Sequence, residues 1–335
     1  MGEIFVSMAG TPEGEVLALF LALMSALAHA IFAAVNKGGI DPYLNRGAIN
    51  ICYSIMAMPF ALFVFPLPTT QLIPLLFFSF LLHIAYEWFQ AAAFSRGSFT
   101  LVYPIARGVG PVITALLALF IFSETLVMSQ WFGLLLLSGA IFSLAFINLG
   151  EVQLDAVAKR GLMISIILAI CAGIFVALYT TVDALGIRTA ADPFTFLAWF
   201  FFLGGFGFPF VAYSRWLKLE DKPEIQPLIA RGIFGALIAF FSFGTLMLAT
   251  RIGKVSEAAA LRETSIILSS LAKFFCFFKV HRDKLTNTAL RHGHTKHAVH
   301  SRHSDRIVRN KHKLCICIKA IAVKACSPPE SSVIV

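Results

Sequence analysis

Residues 95–108 read SRGSFTLVYPIARG, and residues 250–263 read TRIGKVSEAAALRE. Laid together without gaps, Ser95 falls on Thr250, Arg96 on Arg251 and Arg107 on Arg262. Further on, Gly110 meets Ser265 and Thr114 meets Ser269. A second echo lies upstream of each stretch. Val35-Asn36 and Val182-Asp183 close two apolar runs, and each is followed by Asp-Pro, at Asp41-Pro42 and Asp192-Pro193. Self-similarity of this kind marks a duplicated unit.

The material between these stretches is membrane-like. Of 335 residues, 58% are hydrophobic and 13% charged, and Phe occurs 34 times. Soluble domains carry about 25% charged residues. A bilayer crossing needs about 20 apolar residues. Nine runs approach that length: 16–36, 48–66, 72–94, 99–122, 129–148, 161–182, 194–213, 229–249 and 256–278. The first is preceded by Glu3, Glu13 and Glu15 rather than Lys or Arg, so it reads as a retained helix and not as a secretory signal. The expected fold is therefore an all-α polytopic membrane protein. It comprises two repeats of about five helices, over 12–150 and 160–272, the second incomplete. An odd helix number per repeat gives the copies opposite orientations, as in many carriers.

Within the fourth run, VYPIARGVGP (102–111) holds an arginine, two prolines and two glycines. Proline removes a backbone donor. At membrane depth the freed carbonyls are tolerated only against protein or a water-filled cavity. A buried arginine makes the same demand. Tyr103, Arg107, Gly110 or Pro111, and Thr114 share one helical face. Arg262, Ser265 and Ser269 form the matching stripe. Two arginines facing one cavity suit a substrate carboxylate or phosphate. Alternatively, each arginine pairs with an internal carboxylate and ties helices together, or snorkels to an interface.

The third run adds His83, Glu87 and Gln90 on one face, with Tyr86 and Trp88 beside them. Glu87 either neutralises Arg107, titrates during transport, or makes a plain interhelical hydrogen bond. Trp88 is a candidate stacking surface. The candidate substrate-binding set is thus Arg107, Tyr103, Thr114, Glu87, Trp88, Arg262, Ser265 and Ser269. His29 and His83 read as packing histidines, and Glu124 as an interface anchor. Gly204, Gly205 and Gly207 permit close helix approach; nothing around them resembles a phosphate-binding turn. Phe-rich stretches such as 194–210 read as lipid-facing or packing surface.

The run AAAFSRGSFTLVYPIARGVGPVITALLALFIFSETL (91–126) resembles the first EamA domain of the drug/metabolite transporter superfamily. The run ATRIGKVSEAAALRETSIILSSLA (249–272) resembles the second. The resemblance covers roughly residues 12–272. It implies ten helices in two inverted repeats around a central cavity, and export or exchange of small metabolites by alternating access. The expected function is a secondary carrier of a small polar metabolite in the bacterial inner (plasma) membrane. A small-molecule substrate and the lipid bilayer are its expected partners, with a homodimer as a further option and no role for nucleic acid. No cofactor is expected. An intramembrane enzyme would need a Ser/His pair or a metal site, and none is legible, so the chain reads as a non-enzyme. With no ATP-binding motif, uphill movement would draw on an ion gradient or a counter-substrate.

The last fifth departs from this pattern. From Lys279 onward there are twelve Lys/Arg, three Asp/Glu and seven of the nine His, so the net charge of +9 belongs to this tail. HGHTKHAVHSRH (292–303) has a metal-binding spacing. Anionic-lipid binding and a disordered basic tail are the alternatives. A shifted reading frame after about Ser270 is another, and would make the chain a remnant of a longer carrier. Cys52 and Cys171 stand alone in apolar runs, and Cys315 and Cys317 form C-x-C, so neither a disulfide framework nor a zinc site is expected. Orientation is undecided. Lys37, Arg46, Arg96, Lys159, Arg160, Arg215, Lys218 and Lys222 outnumber Arg188, Arg251 and Lys254 on the opposite side, which puts the N-terminus outside; the resemblance puts it inside.

Overall fold

A computed structural model describes residues 2–36, 40–150 and 156–266. The order is α1 (Gly2–Ser7), α2 (Pro12–Asn36), α3 (Pro42–Pro59, continued by a π-turn over Phe60–Val64), α4 (Leu72–Phe94), α5 (Phe99–Phe122) and α6 (Met128–Gly150). Then follow α7 (Ala156–Thr189), α8 (Pro193–Gly204), α9 (Phe208–Lys218), α10 (Ile225–Ile252) and α11 (Val255–Glu263). No strand occurs among the described residues. Seven segments are long and apolar enough to cross a membrane: Pro12–Ala33, Pro42–Val64, Leu72–Phe94, Leu101–Phe122, Lys159–Thr189, Pro193–Lys218 and Ile225–Ile252. In α6 the described apolar stretch, Met128–Ser143, is shorter. The ninth expected run begins as α11, and its remainder lies outside the described residues, as does the basic tail with its His-rich tract.

Three helices begin in the same way, with a capping side chain and then proline. Thr11 Oγ1 accepts from Gly14 N (3.0 Å) at the start of α2. Asp41 accepts from Tyr43 N (2.9 Å) at α3, and Asp192 from Phe194 N (3.0 Å) at α8. A side-chain acceptor satisfies an orphan amide of the first turn, and proline at the first helical position loses a donor that has no partner there anyway. The Asp41 cap has a consequence for charge. Helix α3 starts at Pro42, so Arg46 lies inside it and is buried, not in a loop. It therefore does not count towards orientation.

The seventh run, expected as one helix over 194–213, is instead broken between α8 and α9. The glycines at the break sit against other helices. A Cβ on Gly204 would lie 2.5 Å from Tyr53 Oη, and one on Gly205 would lie 2.1 Å from Ser54 Cβ. By contrast, α5 continues through both Pro104 and Pro111.

Small residues face inward and large ones outward. Ala18, Ala22 and Ala26 of α2 are buried, while Phe20, Leu23 and Leu27 on its other faces are exposed. Ala18 and Ala22 pack with Leu246, Ala249 and Ile252 of α10. Without a hydrophobic drive between helices in lipid, close approach of backbones through small residues supplies the contact. Helix α4 packs on α7, α5 on α6 and α7, α3 on α8, α9 and α10, and α11 on α2 and α5.

Candidate functional site

Polar and charged side chains from seven helices are buried in the middle of this bundle. Arg107 on α5 is 2% exposed. Its Nη1 lies 3.1 Å from Glu263 Oε1, on α11. Its Nη2 faces Nε2 of His29, on α2. A guanidinium can only donate, so Nε2 accepts and the other ring nitrogen carries the proton. That nitrogen, Nδ1, donates to Ser242 Oγ on α10 at 3.0 Å. Ser25 Oγ donates to the Ser242 carbonyl at 2.6 Å. The Tyr103 ring lies under Arg107, 5.5 Å from Cζ to centroid.

Arg262 joins the same carboxylate. Its Nε is 3.8 Å from Glu263 Oε1. The side chain is 1% exposed, and neither its Nε nor its Nη1 makes a hydrogen bond among the described residues. Two guanidiniums thus converge on one carboxylate, an excess of one positive charge.

Two further charged clusters adjoin this centre. Arg46 Nη2 on α3 lies 2.8 Å from Glu87 Oε1 on α4. Asn50 Nδ2 donates to Glu87 Oε2 at 2.7 Å. The Arg46 guanidinium also lies over the rings of Phe32 (5.5 Å) and Tyr86 (5.7 Å), within cation–π range. On the other side, His83 Nε2 lies 2.9 Å from Asp183 Oδ2 of α7. Ser79 Oγ donates to Asp183 Oδ1. The His83 ring stacks 4.1 Å from that of Tyr179.

A narrow cleft opens between the clusters, with a cavity volume of only about 10 Å³. Arg46, Glu87, His83 and Tyr53 line its polar side; Phe32, Phe200, Phe201 and Phe243 line its apolar side. A larger crevice of about 80 Å³ lies between α2 and the start of α11, among Glu15, Lys254 and Glu257. None of the buried arginines borders it.

The sequence-derived set is therefore distributed as follows. Arg107, Tyr103 and Arg262 come together around Glu263. Thr114 and Ser265 are buried, at 1% and 0% exposure. Glu87 pairs with Arg46 rather than Arg107. Trp88 is 43% exposed and packs edge-on against Phe89, away from the polar centre. Ser269 lies outside the described residues. Glu124 caps α11 by accepting from Val255 N (2.9 Å) and Ser256 N (3.1 Å). Among the described residues, no three His, Cys, Asp or Glu cluster as metal ligands.

The sequence-derived binding set omits Arg46, Asn50, Ser79 and Asp183, although Asp183 stands out as a polar group at the end of the sixth apolar run. The signal was present as helical spacing. Arg46, Asn50 and Ser54 run at i, i+4 and i+8, and Ser79, His83 and Glu87 repeat that interval.

Comparison with known proteins bears on fold and family. A solved structure described only as "Crystal structure of protein" superposes with a TM-score of 0.58 at 16% identity, covering 94% of this chain and 96% of its own. That likeness concerns the fold alone. No curated protein matches the sequence. The EamA-like transporter family matches residues 163–281. That domain, set in a bundle of apolar membrane-length helices, places this multi-pass integral membrane protein in the drug/metabolite transporter superfamily.

Proposed function

We propose that the chain is a secondary carrier that moves a small polar metabolite bearing an acidic group, by alternating access between two inverted repeats, 12–150 and 160–272. One observation carries the reading: Arg107 and Arg262, equivalent positions of the two repeats, meet at Glu263 with a positive charge in excess. An intramembrane charge is costly and persists where a pathway uses it. Helix packing supports the repeat relation. The first helix of each repeat packs on the third of the other: α2 on α10, and α7 on α4. A bacterial inner membrane would suit such a carrier.

The test is counterflow of labelled small carboxylates and phosphates in proteoliposomes containing the full chain. Arg107→Ala and Arg262→Ala should each lower flux about tenfold or more, the loss of one charge-assisted hydrogen bond of ~1.5–3 kcal/mol. Circular dichroism and reconstitution yield would report intact insertion. Wild-type flux in both variants would overturn the role of the pair. Absence of flux for every solute in the wild type would overturn the carrier reading.

A further inference from the structure

We infer that the crevice between α2 and α11 holds the headgroup of an ethanolamine phospholipid taken from the bilayer, with its ammonium on Glu15 and Glu257 and its phosphate on Lys254. None of the buried arginines borders this crevice, so the inference goes beyond the carrier reading and does not depend on it.

Position comes first. Glu15 lies in the first turn of α2, at the start of the span Pro12–Ala33, and Lys254 follows the end of the span Ile225–Ile252. Both therefore sit where hydrocarbon gives way to headgroups. From there the crevice runs inward along Ala18, Leu19 and Ala22. Ala22 is ~10 Å deeper than Glu15 at the helical rise of 1.5 Å per residue. Leu19, on the crevice wall, is 41% exposed, and an exposed leucine on a spanning helix faces lipid. The crevice is thus charged at headgroup level, apolar beneath, and open sideways to the bilayer. A ligand with a charged end and a hydrocarbon body matches that order.

The charges select the headgroup. Glu15 and Glu257 stand against Lys254, an excess of one negative charge. Glu257 is engaged through one oxygen only: Oε1 accepts from Gln130 Nε2 at 2.8 Å and pairs with Lys254 Nζ at 3.2 Å. Among the described residues its Oε2 takes no hydrogen bond and Glu15 no ion pair. Two carboxylates thus offer free acceptors to one ammonium. Lys254 has three donors and spends one on Glu257, so others remain for a phosphate oxygen. Ethanolamine phosphate carries the complementary pattern, an ammonium with three N–H groups two carbons from a phosphodiester. Choline has the same charge but no N–H to donate, and a glycerol headgroup has no cation. The volume agrees. About 80 Å³ is several times the ~10–15 Å³ that admits one water. It takes an ethylammonium group while the acyl chains stay in the bilayer.

The test is native mass spectrometry of the purified full-length protein in detergent. Phosphatidylethanolamine, phosphatidylcholine and phosphatidylglycerol with identical acyl chains are added in equal amounts. One phosphatidylethanolamine should be retained at least about tenfold more than either competitor, the effect of a single charge-assisted hydrogen bond. Glu15→Gln should lower its retention to the phosphatidylcholine level, and Lys254→Gln should lower it as well. Glu13→Gln, on the same turn but outside the crevice, should change nothing. Melting temperature separates a lost ligand from a misfolded chain. Wild type and Glu15→Gln should melt together in phosphatidylcholine micelles, and added phosphatidylethanolamine should raise only the wild type.

Equal retention of the ethanolamine and choline lipids would overturn the donor-bearing ammonium. Preference for phosphatidylglycerol would assign an anionic lipid and overturn the inference. Undiminished retention in both Glu15→Gln and Lys254→Gln would remove the crevice as the site. Displacement of the lipid by millimolar phosphoethanolamine would give the crevice to a water-soluble ligand and overturn the bilayer as its source. Carboxylate flux through Arg107→Ala reads the carrier separately, so either reading can fail alone.

Discussion

Arg46 and Glu87 show how a buried charge depends on its partner. Both are under 10% exposed, and each takes its ionic contact from the other. Removing one leaves the other charged in an apolar surround, at a cost of about 3–5 kcal/mol, whereas replacing both with apolar groups of similar volume is often neutral. Arg46→Ala should therefore lower the melting temperature in detergent sharply. Arg46→Met combined with Glu87→Leu should recover most of the loss. A single variant as stable as wild type would mean that the pair contributes no such constraint. The sequence revealed only half of this pair. Glu87 stood out in mid-helix, but a hydropathy window starting at residue 48 discarded Arg46 as a loop charge. The Asp41-Pro42 cap, read locally, places it one turn inside α3. The partner of Arg107 could not be singled out, for a different reason. Glu263 is 156 residues away, and no local periodicity connects two groups that meet only through tertiary packing.

At the level of elements, glycine decides how closely α5 and α7 cross. A Cβ on Gly173 would lie 2.7 Å from the carbonyl oxygen of Ala106 and 2.8 Å from Val109 Cβ. The first of these is backbone and cannot rotate away. Gly173→Ala should force the helices apart and destabilise the fold by about 1–3 kcal/mol, the usual cost of overpacking. Gly161, on the same helix, has nothing within 4 Å of its would-be Cβ. Gly161→Ala should be neutral or slightly stabilising, because alanine is the better helix former. Thermal unfolding of the two variants side by side distinguishes a packing effect from a general intolerance of change in α7. The Asp192 cap gives a smaller expectation: Asp192→Ala should cost about 0.5–2 kcal/mol. Helix positions were largely legible, because long apolar runs have few alternatives in a membrane. The break between α8 and α9 was not. Gly204, Gly205 and Gly207 were recognisable as close-approach residues, but the side chains they approach, Tyr53, Ser54 and Ile84, lie on helices more than a hundred residues earlier.

For the bundle as a whole, Glu124 ties the proposed repeats together at one end. It sits after α5, in the first, and serves two elements of the second directly and a third through Arg188. Its Oε2 accepts from Ser256 N and Ser256 Oγ (2.9 Å) at the start of α11. Its Oε1 accepts from Val255 N and pairs with Arg188 at 3.0 Å, on α7. Arg188 in turn donates to the carbonyls of Thr250 and Gly253, both at 2.8 Å, where α10 gives way to α11. A carboxylate at a helix N-terminus also meets the positive end of the helix dipole. One residue therefore holds three helix ends together. Glu124→Ala should loosen the start of α11 far more than it lowers overall stability, since local opening draws on local contacts. Cysteine introduced at Ala258, 3% exposed, reports this in a background with the native cysteines replaced. A polar maleimide should label it slowly beside Glu124 and much faster in Glu124→Ala, while a cysteine at Ala236, buried in mid-bundle on α10, keeps its slow rate in both. The charge-exchanged pair Glu124→Arg, Arg188→Glu should not restore slow labelling, because an arginine cannot accept from the α11 amides. Restoration by the exchanged pair would show that the ion pair alone closes this end and that the cap is dispensable.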